Sequence, residues 1–335
     1  MNHKILLPIV LVLLFISCKQ NRLKINTDNI EVAIHLERFD ELLFKTEQFS
    51  LNQKISDACE QHPDFCKLYF EDIVQLGPPD SAFFENNLLL FINDTVYQKV
   101  AQSVLETFSD FETYKNEIET GFKHYKYYFP QKPVPDLYTY FSGFNESLII
   151  AEDFIGLSLE NYLGANCEFY QYLGIPKYKT QNMVPQKIVP DVFYAWAITE
   201  FPFNENTNNL LSNMVYQGKL LYFTEAMNPN LPDSIIIGYT SQQLNWCKQN
   251  EANMWAYLAE KRLLYNSERL ELRKYIGDGP FTNTFSHESP GRTGVWLGWQ
   301  IVRSYMNKNH STSLNDLMEM NNAQEILNNS AYFPE

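Results

Sequence analysis

The feature that most constrains this chain lies in its first twenty residues. Lys4 precedes an apolar run from Ile5 to Ile16, which ends in Phe15-Ile16-Ser17-Cys18. A basic start, an apolar stretch of roughly a dozen residues and a small residue ahead of the cut mark a secretory signal, and the stretch is short for a membrane span of about 20 residues. A cysteine directly after that small residue is the lipid-acceptor pattern of a bacterial lipoprotein. Residues 1–17 are therefore expected to be removed, leaving Cys18 as the lipidated first residue. Phe15 departs from the Leu usual three positions before the cysteine, which bears on cleavage efficiency more than on its position. The alternative is an uncleaved anchor with Cys18 as an ordinary cysteine at the membrane boundary. In either case the remainder has to fold outside the bilayer, because Lys, Asn, Asp or Pro interrupts every later apolar stretch.

Each buried methylene contributes about 0.8 kcal/mol, so several acyl chains on Cys18 would hold the protein at a membrane essentially permanently. Residues 18–28 are polar and unpatterned beyond the cysteine, as a short tether would be, and residues 29–335 read as one domain. The tether carries no acidic run beside Cys18, so nothing signals display outside the cell. The expected location is the cell membrane or outer membrane, lipid-anchored and facing the periplasm.

Without residues 1–17 the chain holds 25 basic against 40 acidic residues, a net charge near −15. Such a balance repels phosphate backbones and anionic lipid surfaces, which excludes nucleic acid as a partner and leaves the lipid as the membrane determinant. A 45% hydrophobic content with 24 Phe and 21 Tyr is ample for a buried core. Beyond Cys18 there are four cysteines, Cys59, Cys66, Cys167 and Cys247, and none forms a close metal-type pair. An envelope compartment permits one or two disulfides, with three pairings open if all four join. Cys59 and Cys66 stand seven apart across Pro63, where they bridge two short helices or remain buried thiols.

Along the chain, residues 30–36 alternate as a strand does and residues 39–44 form a short helix. Apolar spacing at Phe65, Leu68, Tyr69, Ile73 and Leu76 predicts a helix stopped by Gly77-Pro78-Pro79. Val96, Val100, Val104 and Leu105 predict another opening at Asp94, and an aromatic helix follows from Phe111 to Phe129. After Pro135 the texture changes. Residues 136–142 alternate, residues 143–146 form a turn, and residues 148–150 and 154–157 are short apolar runs, which together predict a small antiparallel sheet. Helices return at Val192–Phe201, Thr207–Ala226, Thr240–Tyr265, Gly291–Asn307 and Asn321–Asn329. With no repeat and no linker, the expected fold is a helix-rich α+β domain whose sheet packs against helices.

Several segments carry a resemblance that composition does not supply. They are Asn213-Met-Val-Tyr-Gln-Gly-Lys-Leu-Leu-Tyr-Phe223, Gly238-Tyr-Thr-Ser-Gln-Gln-Leu-Asn-Trp-Cys-Lys-Gln-Asn-Glu251, Glu288-Ser-Pro-Gly-Arg-Thr-Gly-Val-Trp-Leu-Gly-Trp-Gln-Ile-Val-Arg-Ser-Tyr-Met306 and Ser330-Ala-Tyr-Phe-Pro334. Together they resemble the gliding motility lipoprotein GldB family of Bacteroidetes over nearly the whole chain. The resemblance implies an envelope lipoprotein required for gliding and linked to type IX secretion, with protein components of that machinery as partners.

The order of sheet, helices, Glu-containing helix and Pro-Gly turn also resembles relatives of the zincin proteases. Such enzymes need HExxH on a helix, two histidines four apart gripping zinc around a Glu base. Here the corresponding helix reads Asn213-Met214-Val215-Tyr216-Gln217, and no histidine occurs between His124 and His287. Glu251 occupies the place of a later Glu ligand, but one carboxylate cannot hold a catalytic zinc without imidazoles. Arg292, between Gly291 and Gly294 at a helix start, is placed to hold a carboxylate or phosphate, although tight packing explains the same glycines. Trp296 and Trp299 have the spacing of core residues, and Glu225 and Asp233, near Pro229 and Pro232, read as loop solvation. The expectation is a non-catalytic binding or assembly component, with no cofactor or metal and a cleft at Asn213, Gln217, Glu251 and Arg292. The alternative is a metal-dependent, peptidase-like hydrolase using Glu251.

Overall fold

The computed structural model describes residues 22–204, 206 and 208–335. The leader, Cys18 and the expected helix start at Thr207 lie outside the described residues. The chain runs through β1 (Leu36–Arg38), α1 (Phe39–Lys45), α2 (Gln48–Gln61) and α3 (Pro63–Lys67), which continues as a π-helical turn at Leu68–Ile73. Then come α4 (Phe84–Ile92), α5 (Thr95–Thr107) and α6 (Glu112–Tyr128), followed by β2 (Asp136–Tyr140), β3 (Leu148–Ile150) and β4 (Phe154–Ser158). The remainder is helical. It comprises α7 (Glu168–Tyr172), α8 (Lys177–Thr180), α9 (Ile188–Glu200), α10 (Leu210–Met227), α11 (Asp233–Ile237), α12 (Ser241–Glu260), α13 (Arg269–Ile276), α14 (Thr293–Lys308), α15 (Leu314–Glu319) and α16 (Ala323–Ser330).

Several helix starts carry a side-chain cap. The Asp94 carboxylate accepts from the N–H groups of Val96 and Tyr97 and opens α5 where the sequence places it. Thr240 and Gln243 form a reciprocal capping box at the start of α12.

The helix-rich α+β class holds, but the sheet is mixed rather than antiparallel. Its order is β1-β2-β4-β3, with β1 parallel to β2, β2 parallel to β4, and only β3 and β4 antiparallel. The turn at residues 143–146 does form, Gly143 and Phe144 both having positive φ, yet it leads to the edge and leaves the place beside β2 to β4. The reason is burial on both faces, the usual environment of parallel strands. Leu137, Ile155 and Leu157 enter the larger core with the C-terminal helices. Tyr138, Tyr140 and Phe154 face a second core with α1 to α4. The expected strand at residues 30–36 survives only from Leu36, because Ile34 N–H donates to Glu119 Oε1 of α6 at 2.9 Å instead of to a strand.

In the larger core α10 crosses α14 with backbones in contact. A Cβ on Gly298 would collide with the Met214 carbonyl, and one on Gly218 with the Gly298 carbonyl, so only glycine permits this approach. Trp296 and Trp299 are fully buried beside this crossing, as their spacing predicts. In the second core the rings of Phe65 and Tyr138 stack at 4.4 Å, and a disulfide joins Cys59 of α2 to Cys66 of α3. Cys167 and Cys247 are free thiols, and burial raises the pKa of both. At the N-terminal side, the Arg22 guanidinium donates to the carbonyls of Met306 and Thr312, and Leu23 is buried in the larger core. The polar stretch read as a tether is therefore held to the body from Arg22 onward.

Candidate functional site

A cavity of about 340 Å³ opens where α9, α10, α11 and the start of α14 converge. Its floor is a stripe along α9 and the turn before it. Lys187, Asp191 and Tyr194 are spaced four and three apart and so share a helix face. Lys187 is buried; its ammonium lies 2.8 Å from Asp191 and donates to the Ile235 carbonyl at 3.1 Å. Leu221 of α10 and Ile236 and Ile237 of α11 supply apolar wall, and Asp278 and Arg292 close the rim.

Arg292 is positioned by backbone geometry. It has φ 57°, in the left-handed region, immediately before α14. There its guanidinium donates to the Ile237 carbonyl at 2.6 Å and meets the Asp278 carboxylate at 3.4 Å. The preceding segment is locked by hydroxyls. Thr282 Oγ1 donates to the Pro290 carbonyl at 2.9 Å, Ser289 Oγ donates to the Ser286 carbonyl at 2.6 Å, and Tyr239 donates to the Gly291 carbonyl at 2.6 Å. The Ser-Pro-Gly-Arg segment thus does structural work while delivering one side chain to the cavity.

Burial pushes the Tyr194 hydroxyl up to about 12, with Arg292 opposing the shift, so Tyr194 is protonated at neutral pH. It donates to Gln217 Oε1. Of the residues anticipated from sequence, Arg292 lines this cavity and Gln217 reaches it through Tyr194. Asn213 and Glu251 are not among its walls. The Asn213 amide is spent on Asn208 and the Asn209 carbonyl, both at 2.8 Å. Glu251 accepts from Tyr332 at 2.7 Å, and burial raises its pKa against that hydrogen bond. Among the described residues Glu251 belongs to no group of three His, Cys, Asp or Glu side chains close enough to share a metal ion. Lys187, Asp191, Tyr194 and Asp278 were not anticipated. Only the Lys187–Asp191 spacing offered a signal, and it is shared by many solvent-facing pairs.

Glu225 and Asp233 require correction. Rather than solvating a loop, they grip one guanidinium: Arg303 of α14 donates to Glu225 at 2.9 Å and to both Asp233 oxygens at 2.8 and 2.6 Å. The same guanidinium lies 3.7 Å over the Trp299 ring, whose indole N–H donates to Glu225 at 3.1 Å. Such planar, bidentate pairing with ring stacking is the work of arginine in particular, and it pins α14 to α10 and α11.

No helix among the described residues is long and apolar enough to cross a membrane. No curated protein and no solved structure matches the chain. A protein-family model described as gliding motility protein GldB matches residues 20–334. Coverage of that extent takes in both cores, the sheet and every wall of the cavity, and on it the chain belongs to the gliding motility protein GldB family.

Proposed function

We propose that this protein is a lipid-anchored envelope component that supports gliding and the linked type IX secretion machinery by binding and assembly rather than by catalysis. Family membership carries the gliding role. Cys18 is the proposed lipid attachment point, and protein components of the machinery are the proposed partners. The observation that favours binding is the state of the cavity groups. Lys187 is already paired with Asp191 and Arg292 with Asp278, while Tyr194 is held protonated. Pre-paired charges and a fixed hydroxyl donor suit recognition of a polar peptide surface better than proton transfer, which needs a group poised near the working pH. We further propose that α10, α12 and α14 form a zincin-like arrangement in which Asn213 and Gln217 stand in place of the histidines.

The test is surface spreading of a deletion strain complemented with the native chain, Cys18→Ala or Arg292→Ala, each variant first shown to accumulate and fold. The native chain is expected to restore spreading and both variants to fail. Normal spreading of the deletion strain would sink the gliding role, and full rescue by Arg292→Ala would sink the role of the cavity. Peptide cleavage that disappears together with a bound zinc on Glu251→Ala would replace binding by the hydrolase reading.

A further inference from the structure

On the opposite face of the sheet from this cavity, a second constellation has the composition of a metal site. One ring nitrogen of His35, one of His62 and a Glu37 carboxylate oxygen all lie within 4.8 Å of one another. Two of the three come from one strand segment. His35 and Glu37 flank Leu36, and alternate residues of an extended chain share a face. The ladder already includes His35, whose carbonyl accepts from Leu137 N–H at 2.8 Å. Glu37 stands opposite Tyr138 in register, which places Tyr138 on the same face. The third ligand arrives from the corner between α2 and α3. His62 is bracketed by the Cys59–Cys66 disulfide, and the Tyr138 hydroxyl lies 2.8 Å from its Nδ1.

We infer that His35, Glu37 and His62 form a binding site for a divalent ion of the zinc class, with one coordination position left open. Two imidazoles and a carboxylate are borderline ligands that suit zinc, and three protein ligands with an open fourth position is an established zinc arrangement. The distances accommodate it. Tetrahedral ligands around zinc stand about 3.3 Å apart. The His35 Nε2 to Glu37 contact is 3.7 Å and none of the three separations exceeds 4.8 Å, so side-chain rotations that shorten them by at most about 1.5 Å complete the site. His35 is half exposed, with a side-chain exposure of 53%, which leaves the ion a path in. The rings of His35 and His62 lie stacked at 5.7 Å and 25° before any ion arrives. With the Tyr138 hydroxyl at His62 Nδ1, the ion would be taken on Nε2, and such an outer contact is the kind that orients metal-bound histidines. The bound ion would tie the edge strand to the α2–α3 corner and present its open position to solvent or to a donor side chain of a partner.

The experiment is a Zn²⁺ titration of the detergent-solubilised full-length protein, without a polyhistidine tag, in competition with a chromophoric chelator. One zinc per chain is expected. His35→Ala and Glu37→Gln, both at solvent-accessible positions, should each weaken binding by at least about tenfold. His62→Ala should do the same where it folds, and Glu251→Ala should leave binding unchanged. Failure to bind, equal affinity in the native protein and His35→Ala, or loss of zinc on Glu251→Ala would each overturn the assignment. The last result would place the ion in the helical half instead.

Discussion

At the scale of single residues the most sensitive point is an absent side chain. Gly298→Ala would drive a methyl group into the backbone of α10 at Met214, where no flexible atom can yield. Overpacking of this kind costs about 3 kcal/mol. Gly279→Ala, whose nearest neighbour would be the Phe281 carbonyl at 3.6 Å, should stay within about 0.5 kcal/mol. Urea unfolding of the two variants tests the contrast. A second residue-scale prediction concerns Glu160, fully buried beneath the turn after β2. Its Oε1 accepts from Ser142 N–H at 2.7 Å, Ser142 Oγ at 2.8 Å and Phe144 N–H at 3.1 Å, while Oε2 has no partner. Burial raises its pKa in spite of those donors. Between the unfolded value and the raised folded value the native state holds more protons than the unfolded state, so stability falls as pH rises through that interval. Native protein should therefore gain stability relative to Glu160→Gln as the pH is lowered through the raised folded value. A stability difference between the two that does not change with pH would show that the three donors fully offset the burial of the carboxylate.

At the scale of elements, the disulfide between α2 and α3 closes a short loop. In the chain-entropy account such a loop contributes about 2 kcal/mol, because it removes few unfolded conformations. Serine at both Cys59 and Cys66 should lower unfolding stability by that amount and, by freeing the corner that carries His62, weaken zinc binding as well. Unchanged zinc affinity in the folded double variant would mean that packing alone places His62. The sequence contained the seven-residue spacing across Pro63 but left bridge and free thiols equally open, since the outcome depends on how α3 turns after His62. Helices were legible where capping and apolar period agreed, as at Asp94 and Thr240. The parallel pairings were not, because β4 is buried on both faces and its short apolar run carries no alternation to fix a neighbour. The cavity was legible only at Arg292, marked by flanking glycines, and indirectly at Gln217. Its other walls come from separate segments whose residues have ordinary spacing, so only the tertiary fold assembles them. Glu225 and Asp233 misled for the same reason: their partner Arg303 lies about seventy residues away.

At the scale of the molecule, the proposed lipid attachment at Cys18 would set how the body sits relative to the membrane. Arg22 is bonded to carbonyls at the end of α14 and in the loop beyond it, at Met306 and Thr312. It stands four positions after Cys18, a reach of at most about 14 Å when fully extended. A lipid on Cys18 would therefore hold the residue 306–312 corner near the headgroups, with α4 across the sheet from the core that contains α14. The net negative charge of the chain, −14, disfavours reorientation of this arrangement by attraction to anionic lipid. A fluorophore on cysteine introduced at His310 should be quenched by headgroup-bound quenchers in vesicles carrying the lipidated protein, whereas one at the exposed Phe83, beside α4, should not. Equal quenching at both positions would mean that the body swings freely about its anchor. Replacing Arg22 by Ala should produce that same freedom, lowering quenching at His310 while leaving membrane association intact, because the proposed lipid and not the Arg22 contact would provide the binding energy.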